Sequence, residues 1–98
     1  MLKLDITHDC LKFLRTLNPK QFRQVVTSLF HLLQTPESHD SASLTGSPFR
    51  RVDVGEYRIV YRVDGDLLKV PLIGKRNDDE IYRALRRLPH DSRTSLTP

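Results

Sequence analysis

Arginine, lysine and tyrosine carry the chemical potential of this chain. Arg51, Arg58 and Arg62 stand at alternating positions in two neighbouring apolar segments, and Gly74-Lys75-Arg76 adds two cations shortly after them. Tyr82 follows that loop, and Arg50 and Arg83 extend the same basic set. A guanidinium is a planar fork that donates paired hydrogen bonds to a phosphate and keeps its charge at any physiological pH. Several together can stabilise the extra negative charge of a pentacoordinate phosphate, and crowded cations make a neighbouring phenol or amine a readier proton carrier. The other reactive residue types read as structural. His8, His31, His39 and His90 match no metal-ligand spacing, and Cys10 suits a small core position. Asp78, Asp79 and Glu80 suit the dipole of a helix start better than a metal. Ser41, Ser43 and Ser47 carry no nucleophile signature.

The elements that must position these groups follow from hydrophobic period. Leu2, Leu4 and Ile6 alternate with polar residues, as in a half-buried strand. Thr7, His8 and Asp9 offer caps for a helix carrying Leu11, Leu14 and Leu17. Asn18-Pro19 starts a second helix whose apolar stripe is Phe22, Val25, Val26, Leu29, Leu32 and Leu33. The two form an αα-hairpin. Residues 37–48 are rich in Ser, Asp, Thr, Gly and Pro and read as a loop. Period two returns in strands over 49–54, 56–63 and 66–73. Gly55 marks the first turn, and Asp64-Gly65 the second, with positive φ at both positions. Pro71 belongs near a strand end or on an unpaired edge. Asn77 and Glu80 cap a third helix with Ile81, Leu85 and Leu88 facing the core.

The order β-α-α-β-β-β-α predicts an α+β fold: an antiparallel sheet packed with an N-terminal αα-hairpin and a C-terminal helix. One domain spans residues 1–88, and 89–98 form a polar tail. Alternation puts Tyr57, Ile59, Tyr61, Val63, Val52 and Val54 toward the core. It leaves Arg51, Asp53, Phe49, Arg58, Val60 and Arg62 on the other face, where Arg51, Arg58 and Arg62 meet if the register allows. Spacing alone leaves two readings, a phosphate site or a solvated arginine face, and favours the second.

With 98 residues, the chain has room for one modest core. Its net charge of +4 favours an anionic partner without choosing among nucleic acid, acidic protein and anionic membrane. A single cysteine excludes an internal disulfide framework. No run approaches the roughly 20 apolar residues of a bilayer span, and the N-terminus lacks the long apolar run of a secretory signal. The expected location is the cytoplasm, with no membrane partner.

Several motifs together resemble the RelE toxins of the RelE/ParE superfamily. They are Leu44-Thr45-Gly46, the run Val54-Gly55-Glu56-Tyr57-Arg58-Ile59-Val60-Tyr61-Arg62-Val63, Ile73-Gly74-Lys75-Arg76, and Glu80-Ile81-Tyr82. The likeness covers about residues 2–88, and the element order is similar as well. The resemblance implies a toxin of a type II toxin–antitoxin system that enters the ribosomal A site and cleaves mRNA by attack of the ribose 2′-hydroxyl on the adjacent phosphate. That scheme needs no metal or cofactor. It implies that Arg58 stabilises the transition-state phosphate, that Arg76 supports phosphate and leaving group, and that Tyr82 orients or deprotonates the 2′-hydroxyl. Arg51 would balance charge or assist proton transfer, with Arg50, Arg62, Lys75 and Arg83 binding RNA. A cognate antitoxin is the implied protein partner, laying an extended or helical segment over the toxin.

The chain departs from the RelE pattern where two alternating lysines are expected; Phe49 and Arg51 stand there, and Asp53 adds an opposing charge. Two alternatives follow. One is a ParE-like inhibitor that binds DNA gyrase. The other is a catalytically weak or inactive relative that only binds its antitoxin.

Overall fold

The helical hairpin forms where caps and apolar stripe agree. The computed structural model describes residues 1–44, 46–77 and 83. After strand β1 (Lys3–Ile6), helix α1 (His8–Arg15) is capped by Thr7, whose hydroxyl accepts the Cys10 N–H at 3.1 Å. Asp9 in its first turn and Lys12 and Arg15 in its last complement the helix dipole. Helix α2 (Pro19–Gln34) starts at Asn18, whose side chain accepts the Gln21 N–H at 2.8 Å, with Pro19 in the first turn. It buries Val25, Leu29, Leu32 and Leu33, the i, i+4, i+7, i+8 face. Phe22 shares that face by spacing but is exposed in the first turn of the helix, a departure from the expected stripe.

Four more strands follow: β2 (Ser41–Ser43), β3 (Arg50–Val54), β4 (Tyr57–Asp64) and β5 (Leu67–Lys75). The five-stranded sheet runs β1-β5-β4-β3-β2. The fold is α+β, as expected, but the sheet is mixed because β1 pairs parallel with β5. The expected third helix and the 89–98 tail lie outside the described residues, apart from Arg83, which is helical and exposed.

Three local expectations need correction. β2 lies inside the stretch read as a loop. Ser-Ala-Ser has no β-branched signal, yet Ala42 pairs with Arg51, and the Arg50 guanidinium donates to Ser41 and Ser43 hydroxyls at 2.8 and 3.1 Å. The second turn is Gly65-Asp66, because Asp64 stays in the ladder opposite Leu67. Only Gly65 there has positive φ (62°), as in a turn with glycine at its first position. Finally, Pro71 sits inside β5, at a bulge. Val60 pairs with Leu72 but Arg62 with Lys69, so β5 carries one extra residue opposite Tyr61. A residue without an N–H fits where the ladder is interrupted.

That bulge resets the alternation. Leu68 and Val70 before it and Ile73 after it all reach the helix-side core, whereas a regular strand would send Ile73 to the other face. The core joins these to Val52, Tyr57, Ile59 and Tyr61 from the sheet and Leu14, Val25, Leu29 and Leu32 from the helices. Tyr61 reaches across it and donates its hydroxyl hydrogen to the Pro36 carbonyl. Val63 falls outside this core, at 42% exposure near the end of β4. Cys10 is buried against it, as expected, with Sγ 3.5 Å from the Val70 carbonyl, and burial pushes its thiol pKa up. Among the described residues no helix is long and apolar enough to cross a membrane.

Candidate active site

The face of the sheet away from α1 and α2 gathers the arginines. β3 and β4 meet through the two-residue turn Gly55-Glu56, so Val54 opposes Tyr57 and Asp53 opposes Arg58. Asp53 is the hub. Arg58 Nε and Nη2 donate to its two carboxylate oxygens at 2.7 and 3.2 Å. Arg51, two residues back on the same face, brings Nη1 to 3.6 Å from Asp53 Oδ2. Arg76 leaves the end of β5 with its N–H donated to the Glu56 carbonyl at 2.9 Å, and its charge also acts on Asp53. The hydrogen bond from Arg58 holds the Asp53 carboxyl below its ordinary value. Burial opposes this, and the charges of Arg58, Arg51 and Arg76 add to the lowering. The charges of Arg51, Arg58 and Arg76 set against this one carboxylate sum to two net positive charges.

The expected site is therefore only partly assembled as read. Arg51 and Arg58 converge on Asp53, and the charge of Arg76 acts on the same carboxylate. Arg62 shares their face but lies further along β4, 3.6 Å from Asp64 Oδ2. Lys69, buried on β5 opposite Arg62, holds the same Asp64 oxygen at 3.1 Å. The Lys69 hydrogen bond, then its charge and that of Arg62, lowers the Asp64 pKa. Arg50 points to the opposite face, in register with Tyr61, and its serine partners keep it on the β2 edge. Lys75 is not in a loop after the strand; it ends β5 in register with Tyr57, on the helix side, and is exposed. Arg83 is exposed, and Tyr82 lies outside the described residues.

Two features escaped the reading of the residues. Asp53 appeared only as an opposing charge, although residues that flank a two-residue turn at i and i+5 must face each other across the ladder. Lys69 was missed because it sits in the apolar run Leu67-Leu68-Lys69-Val70, and the register set by the Gly65-Asp66 turn places it opposite Arg62. An apolar floor completes the face: Phe49 and Val60 are buried together, with Leu44 and Leu72 against them. Phe49 thus packs where a cation was expected from the resemblance.

On the helix side, a groove of ≈ 320 Å³ is lined by Leu4, Ile6, Leu11, Phe22, Val26 and Phe30, among others. It accounts for most of the large apolar side chains left exposed among the described residues.

The family model of the ParE toxin of type II toxin–antitoxin systems, parDE, matches residues 4–80. The chain belongs to that family. It is a type II toxin of the RelE/ParE superfamily, and solved structures agree. A double arginine-to-alanine variant of the E. coli toxin RelE in the free state is 26% identical, with a TM-score of 0.73 over 89% of this chain and 98% of that one. The RelE–RelB complex from Pyrococcus horikoshii shares the fold at 23% identity and TM-score 0.68, covering 78% of this chain and 96% of that one. The intact E. coli RelBE toxin–antitoxin complex does so at 22% and 0.68, covering 80% and 100%. No curated protein sequence matches the chain.

Proposed function

We propose that this RelE/ParE-family toxin is a ribosome-dependent endoribonuclease that cuts mRNA. The observation that carries this reading is the convergence of Arg51 and Arg58, from neighbouring strands, on the Asp53 carboxylate, where the charge of Arg76 also acts. Such a cluster suits a phosphodiester whose charge rises toward the transition state. In the reaction, the ribose 2′-hydroxyl attacks the neighbouring phosphorus, the 5′-oxygen of the next nucleotide leaves, and a cyclic phosphate remains. Arg58 and Arg76 stabilise the equatorial oxygens and the leaving group. Tyr82 orients or accepts the proton of the 2′-hydroxyl, and Arg51 balances charge. The ribosome supplies substrate alignment that so small a surface lacks. Arg62 and Arg83 would extend the contact to RNA, whereas Arg50 and Lys75, on the opposite face, would meet RNA only at the β2 edge and at the end of β5.

The partner is a cognate antitoxin, as in the solved RelB–RelE complexes. The exposed apolar groove between β1 and the helices is suited to an amphipathic segment of such a protein.

A second reading is favoured by the family model itself, which is that of ParE toxins: inhibition of DNA gyrase by binding. The arginine cluster has no assigned use in that reading. Purified protein added to translating ribosomes and, separately, to a gyrase supercoiling reaction separates the two. The nuclease reading expects cut mRNA and unaffected supercoiling. Intact mRNA with arrested supercoiling would replace it with the gyrase reading.

A further inference from the structure

We propose that Asp53 is the positioning residue of the arginine cluster: it fixes the Arg58 guanidinium with twin hydrogen bonds and gathers Arg51, at a cost in the cluster's hold on RNA. This deepens the nuclease reading and rests on it.

The geometry carries the argument. Arg58 is a long side chain with several rotatable bonds, yet only 13% of it is exposed. Both of its bonds to Asp53 use one edge of the guanidinium, Nε and Nη2, which fixes the plane of the fork. The carboxylate springs from the cross-strand partner of Arg58 itself, so the pair is set by the ladder and not by a mobile loop. Asp53 Oδ2 also faces Arg51 at 3.6 Å. Without this carboxylate the Arg51 and Arg58 guanidiniums would repel one another, and Arg58 would lose the twin bonds that set its plane. The same negative charge opposes an incoming phosphate. Positioning and affinity therefore pull in opposite directions, and that opposition is measurable. Nor is Asp53 suited to take the proton of the 2′-hydroxyl: both of its oxygens accept from Arg58, and strong pairing makes it a poor base.

The test uses the full-length protein, ribosomes programmed with mRNA, and a short single-stranded RNA oligonucleotide. The maximal cleavage rate on ribosomes and the affinity for the oligonucleotide at fixed salt are measured for wild type, Asp53→Asn, Asp53→Glu and Asp66→Asn. Asp66 lies at the other end of β4, exposed beside Lys3, and its variant changes net charge equally far from the cluster. Asp53→Asn should lower the maximal rate about tenfold or more, since a misplacement of about 1 Å can cost that much. It should also bind the oligonucleotide roughly three- to tenfold tighter, the effect of removing one unit charge some 6 Å from a phosphate in a half-wet site. Asp53→Glu keeps the charge and should hold the rate within about threefold of wild type. Asp66→Asn should match wild type in rate.

An unchanged or faster rate in Asp53→Asn overturns the proposal. So does a slower rate with unchanged or weaker RNA binding, which would mark a merely structural residue. If Asp53→Asn loses its cooperative thermal transition, Asp53→Glu decides, and a folded Glu variant slowed tenfold overturns it. A wild-type protein that cuts nothing defeats the nuclease reading instead. The binding arm then settles Asp53 alone, and no tightening in Asp53→Asn overturns its assignment.

Discussion

Truncating Ile59 is the sharpest test of the sheet that carries the site. Its side chain is fully buried in the middle of β4, in register with Val52 on one side and Ile73 on the other. Ile59→Ala removes about three carbons at about 0.8 kcal/mol each, or about 2.4 kcal/mol of transfer free energy. A cavity term of about 1–2 kcal/mol is added, because cross-strand neighbours in a sheet collapse poorly into the gap, for a total near 4 kcal/mol. That is a large share of the roughly 5–15 kcal/mol that holds a domain together. At about 4–8 °C per kcal/mol, the midpoint of thermal unfolding should fall by roughly 15–30 °C. Urea unfolding followed by circular dichroism measures the loss directly, with an unchanged denaturant slope as the two-state check. Val63→Ala supplies the contrast. It shares the nominal core alternation of Ile59 but is 42% exposed, so its cost should stay within about 0.5 kcal/mol. An Ile59→Ala loss under about 1 kcal/mol, or equal losses at the two sites, would refute the packing described here.

Three further outcomes are expected. Gly65→Ala should cost about 1–2 kcal/mol by urea unfolding, all of it from the left-handed backbone, since an added Cβ meets nothing within 4 Å. Gly65→Asn should recover part of it, and a neutral Gly65→Ala would mean the turn is not formed this way. Asp53 has a folded pKa below its ordinary 3.8, so its contribution to stability is fully present above that value and is lost as pH falls through the lower folded pKa. The stability gap between wild type and Asp53→Asn should therefore be constant near neutrality and close under acid; a gap that widens below pH 3.8 reverses the sign. Cys10, buried and with its thiol pKa raised by that burial, should react with a thiol reagent only as fast as the protein opens. Rapid stoichiometric labelling of the native protein would show an accessible thiol.

Periodicity made most of the fold legible. The caps at Thr7 and Asn18, the α2 stripe and the two faces of β3 and β4 are local patterns, and each formed much as its residues indicate. What stayed hidden depended on partners distant in the chain. Ser41–Ser43 is a strand only because β3 offers it an edge and Arg50 satisfies its hydroxyls. The parallel pairing of β1 with β5 joins residues more than sixty positions apart, which alternation cannot report. The bulge at Pro71 changes which face later residues take, and so brings Ile73 to the helix-side core. Within the site, the meeting of Arg51 with Arg58 was readable from strand alternation. The sorting of Arg50 to the far side follows equally from its adjacency to Arg51, because successive residues of a strand point oppositely. The role of Asp53 was readable in principle too, from its distance across the Gly55 turn. What the single sequence could not supply was that the charge of Arg76 acts on the same carboxylate.

The central claim is that Arg58 acts on the scissile phosphate from within this cluster. Single-turnover cleavage of ribosome-bound mRNA by wild type and Arg58→Ala tests it most directly, with thermal unfolding to show that both proteins are folded. A loss of at least about a hundredfold in rate is predicted, the usual consequence of removing a group aimed at developing charge. Equal cleavage by the two folded proteins would contradict the account.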